Sequence, residues 1–156
     1  MTNNQIIAGT GVDTVTVYAT DYNVSDGVDD AGSISTGAGN DVVQVGDGYY
    51  ERSSRATIDT GAGTDALNYA NAGVALTATL NATGTSTITS TVAGQYGTTT
   101  FSNVEAITGG GSNDTFIFSS GNKNNYTIDT GAGTDALSYA NAGVALTATL
   151  NATGTS

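Results

Sequence analysis

The residues best placed to do chemistry in this sequence are five aspartates in one recurring setting: Asp13, Asp41, Asp65, Asp114 and Asp135. Four residues before each stands a glycine (Gly9, Gly37, Gly61, Gly110, Gly131). Two before each stands another (Gly11, Gly39, Gly63, Gly133), with Ser112 in the one remaining case. Short carboxylates on glycine corners suggest hard-metal chemistry. If like corners stack, their carboxylates form a column that is repulsive unless a cation sits among them. Calcium suits such a cage, because it takes about six to eight oxygens and accepts backbone carbonyls readily. Magnesium suits it poorly, since it demands near-octahedral geometry and gives up water reluctantly.

The flanking residues define the elements that must carry these corners. Seven residues before each aspartate is an isoleucine: Ile6, Ile34, Ile58, Ile107 and Ile128. Two and four after each are large apolar residues: Val15/Val17, Val43/Val45, Leu67/Tyr69, Phe116/Phe118 and Leu137/Tyr139. Alternation with period two puts both on one face of a strand. The motif therefore predicts strand, tight corner, strand, with glycine supplying the unusual backbone angles. Gly73 to Leu80 predicts a further strand, with Val74, Leu76, Ala78 and Leu80 on one face. The aspartates are 28, 24, 49 and 21 residues apart. One corner per coil predicts an all-β, right-handed parallel β-solenoid of about 21–28 residues per coil, its corners stacked about 4.8 Å apart. The interval of 49 predicts one coil without the motif, around Asn81 to Gly97, with Asn81-Ala82-Thr83-Gly84 as substitute corner. A Greek-key sandwich gives no reason for one corner to recur at coil-like intervals.

A longer repeat overlies the short one. Residues 57–86 and 127–156 are the same string except for Asn68 against Ser138, at an offset of 70 residues. Such periodicity points to an array, read here as one repetitive domain over 1–156 whose second copy is incomplete. A coil left unfinished at Ser156 predicts either a longer array or end-to-end self-association.

Composition excludes several functions. With 14 acidic and 3 basic residues the net charge is −11, so no basic patch for nucleic acid can form. The absence of His and Cys removes the usual general base, thiol nucleophile and soft-ligand metal site. Glu51, Glu105, Arg52 and Arg55 are too few and too scattered for a lyase or glycosidase groove. No apolar run approaches the ~20 residues of a membrane span, and the N-terminus has no signal-peptide pattern.

The corner resembles the nonapeptide G-G-x-G-x-D-x-U-x of RTX (repeats-in-toxin) proteins. Gly109-Gly110-Gly111-Ser112-Asn113-Asp114-Thr115-Phe116-Ile117 comes close to the full form. Thr36 to Asp41, Thr60 to Asp65 and Thr130 to Asp135 match from the second glycine onward, and Phe101 to Thr108 is similar to a segment that often precedes such repeats. The resemblance implies Ca2+ ligation by Asp13, Asp41, Asp65, Asp114 and Asp135. Carbonyl ligands would come from Gly9, Gly11, Gly37, Gly39, Gly61, Gly63, Gly110, Ser112, Gly131 and Gly133. It also implies a chain that folds only after export. RTX repeats usually run in tandem and carry two calcium columns. Here one corner per coil predicts a single column, pairing Asp13/Asp41, Asp41/Asp65 and Asp114/Asp135 and interrupted between Asp65 and Asp114. Three calcium ions would then offset six of the eleven net charges.

Other polar groups read as structural. Asp26, Asp29 and Asp30 form a solvated acidic loop or a looser cation site. Asp59 and Asp129 are exposed strand ends, and Asp47 is a turn residue. The alternating run Thr83 to Thr91 reads as an exposed strand. The expected function is that of a non-enzymatic, extracellular calcium-binding segment of a bacterial surface layer, large adhesin or filament, exported without a cleaved signal peptide. The alternative is an RTX folding module attached to a secreted protease or lyase.

Overall fold

The structure, a computed structural model, describes residues 5–17, 32–45, 57–90 and 97–143. These residues are all-β, with thirteen strands and no helix. The strands are β1 (Gln5–Ile7), β2 (Thr14–Val17), β3 (Ser33–Ser35), β4 (Val42–Val45), β5 (Thr57–Asp59), β6 (Ala66–Asn68) and β7 (Leu76–Leu80). They continue as β8 (Ser86–Ser90), β9 (Thr98–Ser102), β10 (Ala106–Thr108), β11 (Thr115–Phe118), β12 (Thr127–Asp129) and β13 (Ala136–Ser138).

Two sheets result. One has eight strands in the order β1-β3-β5-β9-β8-β7-β11-β13, the other five in the order β12-β10-β6-β4-β2. Before the β7–β9 segment the chain passes from the larger to the smaller three times, as β1 to β2, β3 to β4 and β5 to β6. Equivalent strands pair in parallel, so Ile34 lies between Ile6 and Ile58, and Val43 between Val15 and Leu67. Like residues thus sit over like residues and share one hydrophobic cluster drawn from both sheets, including Ile34, Ile58, Val43, Leu67, Phe101, Ile107 and Phe116. This parallel, two-sheet winding is compatible with a solenoid.

The region predicted to be an unmarked coil is built differently. β7, β8 and β9 are antiparallel neighbours within the larger sheet. Asn81–Gly84 is not a coil corner but part of a hairpin turn. Asn81 Nδ2 donates to Thr85 O (2.7 Å), and its N–H donates to Ser86 Oγ (3.0 Å). The cause is local. Two five-residue segments of period-two alternation, separated by a short loop with Gly84 at φ 75°, satisfy each other's backbone without a second sheet.

The excursion has a topological result. After β9 the chain enters the smaller sheet at β10, returns to the larger at β11, and repeats this through β12 and β13. The corners after β10 and β12 therefore lead from smaller to larger sheet, the reverse of the first three. The string Thr-Ile-Asp forms β5 in the larger sheet and β12 in the smaller. None of the described residues forms a helix long and apolar enough to cross a membrane.

Candidate metal centre

The five corners fall into two stacks, which corrects the expectation of a single column. The first holds residues 8–13, 36–41 and 60–65, where the chain leaves the larger sheet. The second holds 109–114 and 130–135, where it re-enters that sheet. The reversal of sheet order after the hairpin separates them, so Asp65 and Asp114 are not neighbours in one interrupted column. The expected pairs Asp13/Asp41, Asp41/Asp65 and Asp114/Asp135 do come together.

In the first stack the backbones touch closely. Ala38 N–H donates to Gly9 O (3.2 Å), Gly11 N–H to Ala38 O (2.7 Å), Ala62 N–H to Gly37 O (2.8 Å) and Gly39 N–H to Ala62 O (2.9 Å). A Cβ on Gly63 would lie 1.6 Å from Gly39 O, and one on Gly39 would lie 1.6 Å from Gly11 O. A carbonyl thus occupies the space that any side chain would need. Glycine is required here by close approach as much as by backbone angle.

The carboxylates run through the stack in one direction. Asp13 N–H donates to Asp41 Oδ1 (2.9 Å), Asp41 N–H to Asp65 Oδ1 (2.8 Å) and Asp65 N–H to Glu105 Oε2 (2.9 Å). Each acid caps the corner before it, which uses one oxygen of each aspartate from Asp41 onward. Asp41 and Asp65 are 1% and 0% exposed. The Oδ2 atoms of Asp13, Asp41 and Asp65 are buried and have no hydrogen-bond partner. A buried, unpartnered acceptor is costly, and a charged one more so.

Glu105 is a residue that the glycine motif misses. It takes the place of an aspartate on a segment, 103–105, that is three residues shorter than the corner 60–65. Asn103 makes the tighter turn at φ 59° and donates from Nδ2 to Asp59 Oδ1 (2.7 Å). The available signal was the likeness of Glu105-Ala106-Ile107 to Asp65-Ala66-Leu67. Asn40 and Asn113 were also missed. Their Oδ1 atoms accept the Thr64 and Thr134 amides of the next corners (3.0 and 2.8 Å).

The second stack begins with Leu76 in the aspartate's place. Leu76 N–H donates to Asp114 Oδ1 and Asp114 N–H to Asp135 Oδ1, both at 2.8 Å. Here the other oxygen of Asp114 is used too, accepting Gly110 N–H at 2.7 Å. Ser112 fills the second glycine position and donates to Gly73 O (3.1 Å). Asp59 and Asp129 are exposed, as expected, and each accepts the glycine amide two residues on. Asp26, Asp29, Asp30, Asp47, Glu51, Arg52 and Arg55 lie outside the described residues.

Burial raises the Asp114 carboxyl above its ordinary range, and the nearby Asp135 charge adds to this, against the amides of Leu76 and Gly110. A raised folded-state value favours the protonated form, so its contribution is complete below the unfolded value and lost as pH rises through the folded one. Asp114→Asn is therefore expected to flatten this part of the pH dependence. Urea unfolding across the carboxylate range at fixed calcium checks it, and identical slopes in the two proteins count against it.

Among the described residues no three acidic side chains converge on one point. Any cage here has at most two carboxylates and must draw its other ligands from corner carbonyls. That donor set, all hard oxygen, together with the three unpartnered Oδ2 atoms, fits calcium. No protein-family model, curated protein or solved structure matches the chain.

Proposed function

We propose that this chain is an extracellular structural protein, similar to RTX proteins, in which calcium held between stacked corners organises a right-handed β-solenoid. It would form a segment of a bacterial surface layer, large adhesin or self-assembling filament, and it carries out no catalysis. The observation that carries this reading is the row of buried Asp13, Asp41 and Asp65 Oδ2 atoms without hydrogen-bond partners. An acidic chain that buries carboxylates in this way needs a compensating charge, and its own basic residues number only three. Calcium would supply that charge and join consecutive coils, so binding energy would become folding energy.

The outermost described strands of the larger sheet favour assembly of one copy on another. β1 presents Ile6 and Ile7 at 42% and 69% exposure, and β13 presents Leu137 at 46%. Exposed apolar edge strands are templates for further pairing. The test is circular dichroism during a calcium titration, with magnesium as control. β signal is expected to rise with calcium and to fall on chelation; equal β content with and without chelator sinks the calcium reading. Sedimentation at high protein concentration and millimolar calcium tests assembly, and a persistent monomer rules it out.

A further inference from the structure

We infer that the two stacks are inequivalent: the cation requirement lies in the first, while the second closes on the protein's own amides. This rests on the calcium reading above and assigns it to particular residues. The two stacks share the motif, yet they differ at the atom that matters. In the first, Asp41 and Asp65 are almost wholly buried, and each spends Oδ1 on the preceding corner and leaves Oδ2 unpartnered. Asp114 is as buried, at 1% exposure, but its Oδ1 accepts Leu76 N–H and its Oδ2 accepts Gly110 N–H. Those two amides offset part of the burial cost of the Asp114 carboxylate and leave it no unpartnered oxygen to offer a cation. Asp135, the last acid of the second stack, is only half-buried and so keeps contact with water.

The surroundings run the same way. The second stack opens on Leu76, which brings no charge to its end of the row. The first stack instead gathers Asp13, Asp41 and Asp65 and ends on Glu105, a fourth acid in line. Four carboxylates in file concentrate negative charge on one edge of the molecule. Calcium therefore organises the coils of β1 to β6, whereas the β7–β13 half holds its corners without it. A fall in calcium would open the first half while the second stays folded.

Hydrogen exchange on the intact wild-type chain, in chelator and in millimolar calcium, reads this directly. The amides of Leu76, Gly110 and Asp114 are expected to be protected in both conditions, those of Asp13 and Asp41 only in calcium. Calorimetry on two variants adds a second readout. Asp41→Asn should weaken calcium binding by about tenfold or more, as the loss of one charged ligand implies, and Asp114→Asn should change it less than about twofold. If calcium binds but Asp114→Asn weakens it as much as Asp41→Asn, or if both groups of amides gain protection together, the inequivalence is overturned and the calcium reading stands. If no calcium binds to the wild type, both fall. Should Asp41→Asn fail to fold, the exchange pattern of the wild type decides alone.

Discussion

Gly61→Ala is expected to leave little folded protein even in saturating calcium. Gly61 has φ +83°, and a Cβ there would lie 1.8 Å from Gly37 O and 2.7 Å from the carbon that bears it. Left-handed backbone alone costs a non-glycine residue about 1–2 kcal/mol. The clash adds far more, because the obstructing atom is backbone and cannot rotate away. Moving Gly37 gives no relief, since a Cβ on Gly37 would itself meet Gly9 O at 2.2 Å; the corners are spaced at contact throughout. A loss above ~4 kcal/mol is expected, a large part of a typical stability of about 5–15 kcal/mol. Two other glycines separate the causes. Gly84, at φ +75° with nothing within 4 Å, should show the backbone cost alone, and Gly73, in open space without a positive φ, should show neither. Denaturant unfolding of the three alanine variants is expected to rank them Gly61, Gly84, Gly73 from most to least damaged. Equal losses would show that close stacking is not what the corner glycines serve.

Phe101→Ala is expected to cost about 3–5 kcal/mol, as for other large aromatic truncations in a filled core. Phe101 is 1% exposed and lies on β9, opposite Ile58 on one side and Ser86 on the other. It is the residue where the antiparallel hairpin rejoins the parallel ladder, so its loss should loosen β8 and β9 together. Phe118→Ala is the comparison. Phe118 is also buried, but it stacks on the exposed Tyr139 (ring centroids 4.2 Å apart) and can be partly replaced by water or by Tyr139 itself. Thermal unfolding should show the larger drop for Phe101→Ala, and the reverse order would place the weakest packing at the junction instead.

Much of the candidate site was legible because it is local. The spacing of Gly, Gly and Asp sets a corner within six residues, and the flanking Ile and alternating apolar positions point inward by strand periodicity. Ile34, Ile58, Ile107, Val43, Leu67 and Phe116 are all buried accordingly. Ile6 and Leu137 occupy the same motif positions yet are exposed, because β1 and β13 are the outermost described strands of their sheet and have, among the described residues, a neighbour on one side only. A motif specifies direction, not depth within a stack. The hairpin was missed because the segment from Leu76 to Ser90 alternates as any strand would, and only long-range pairing tells parallel from antiparallel. Glu105 stands in the sequence without a glycine corner before it, and its capping role follows only from the pairing of β10 beside β6.

The hairpin between β7 and β9 also governs symmetry on a larger scale. Counting β7, β8 and β9 as one visit, the 70-residue unit visits the two sheets five times, at β5, β6, β7–β9, β10 and β11. Five is odd. Each unit therefore hands the next one over in the opposite sheet, and identical sequence alternates between left and right flanks. Any longer run of this unit would have a structural period of two units, not one. A receptor, antibody or crosslinking neighbour that reads a given corner would meet it on alternate flanks, so such a rod would present like chemistry to both sides and could be gripped from either.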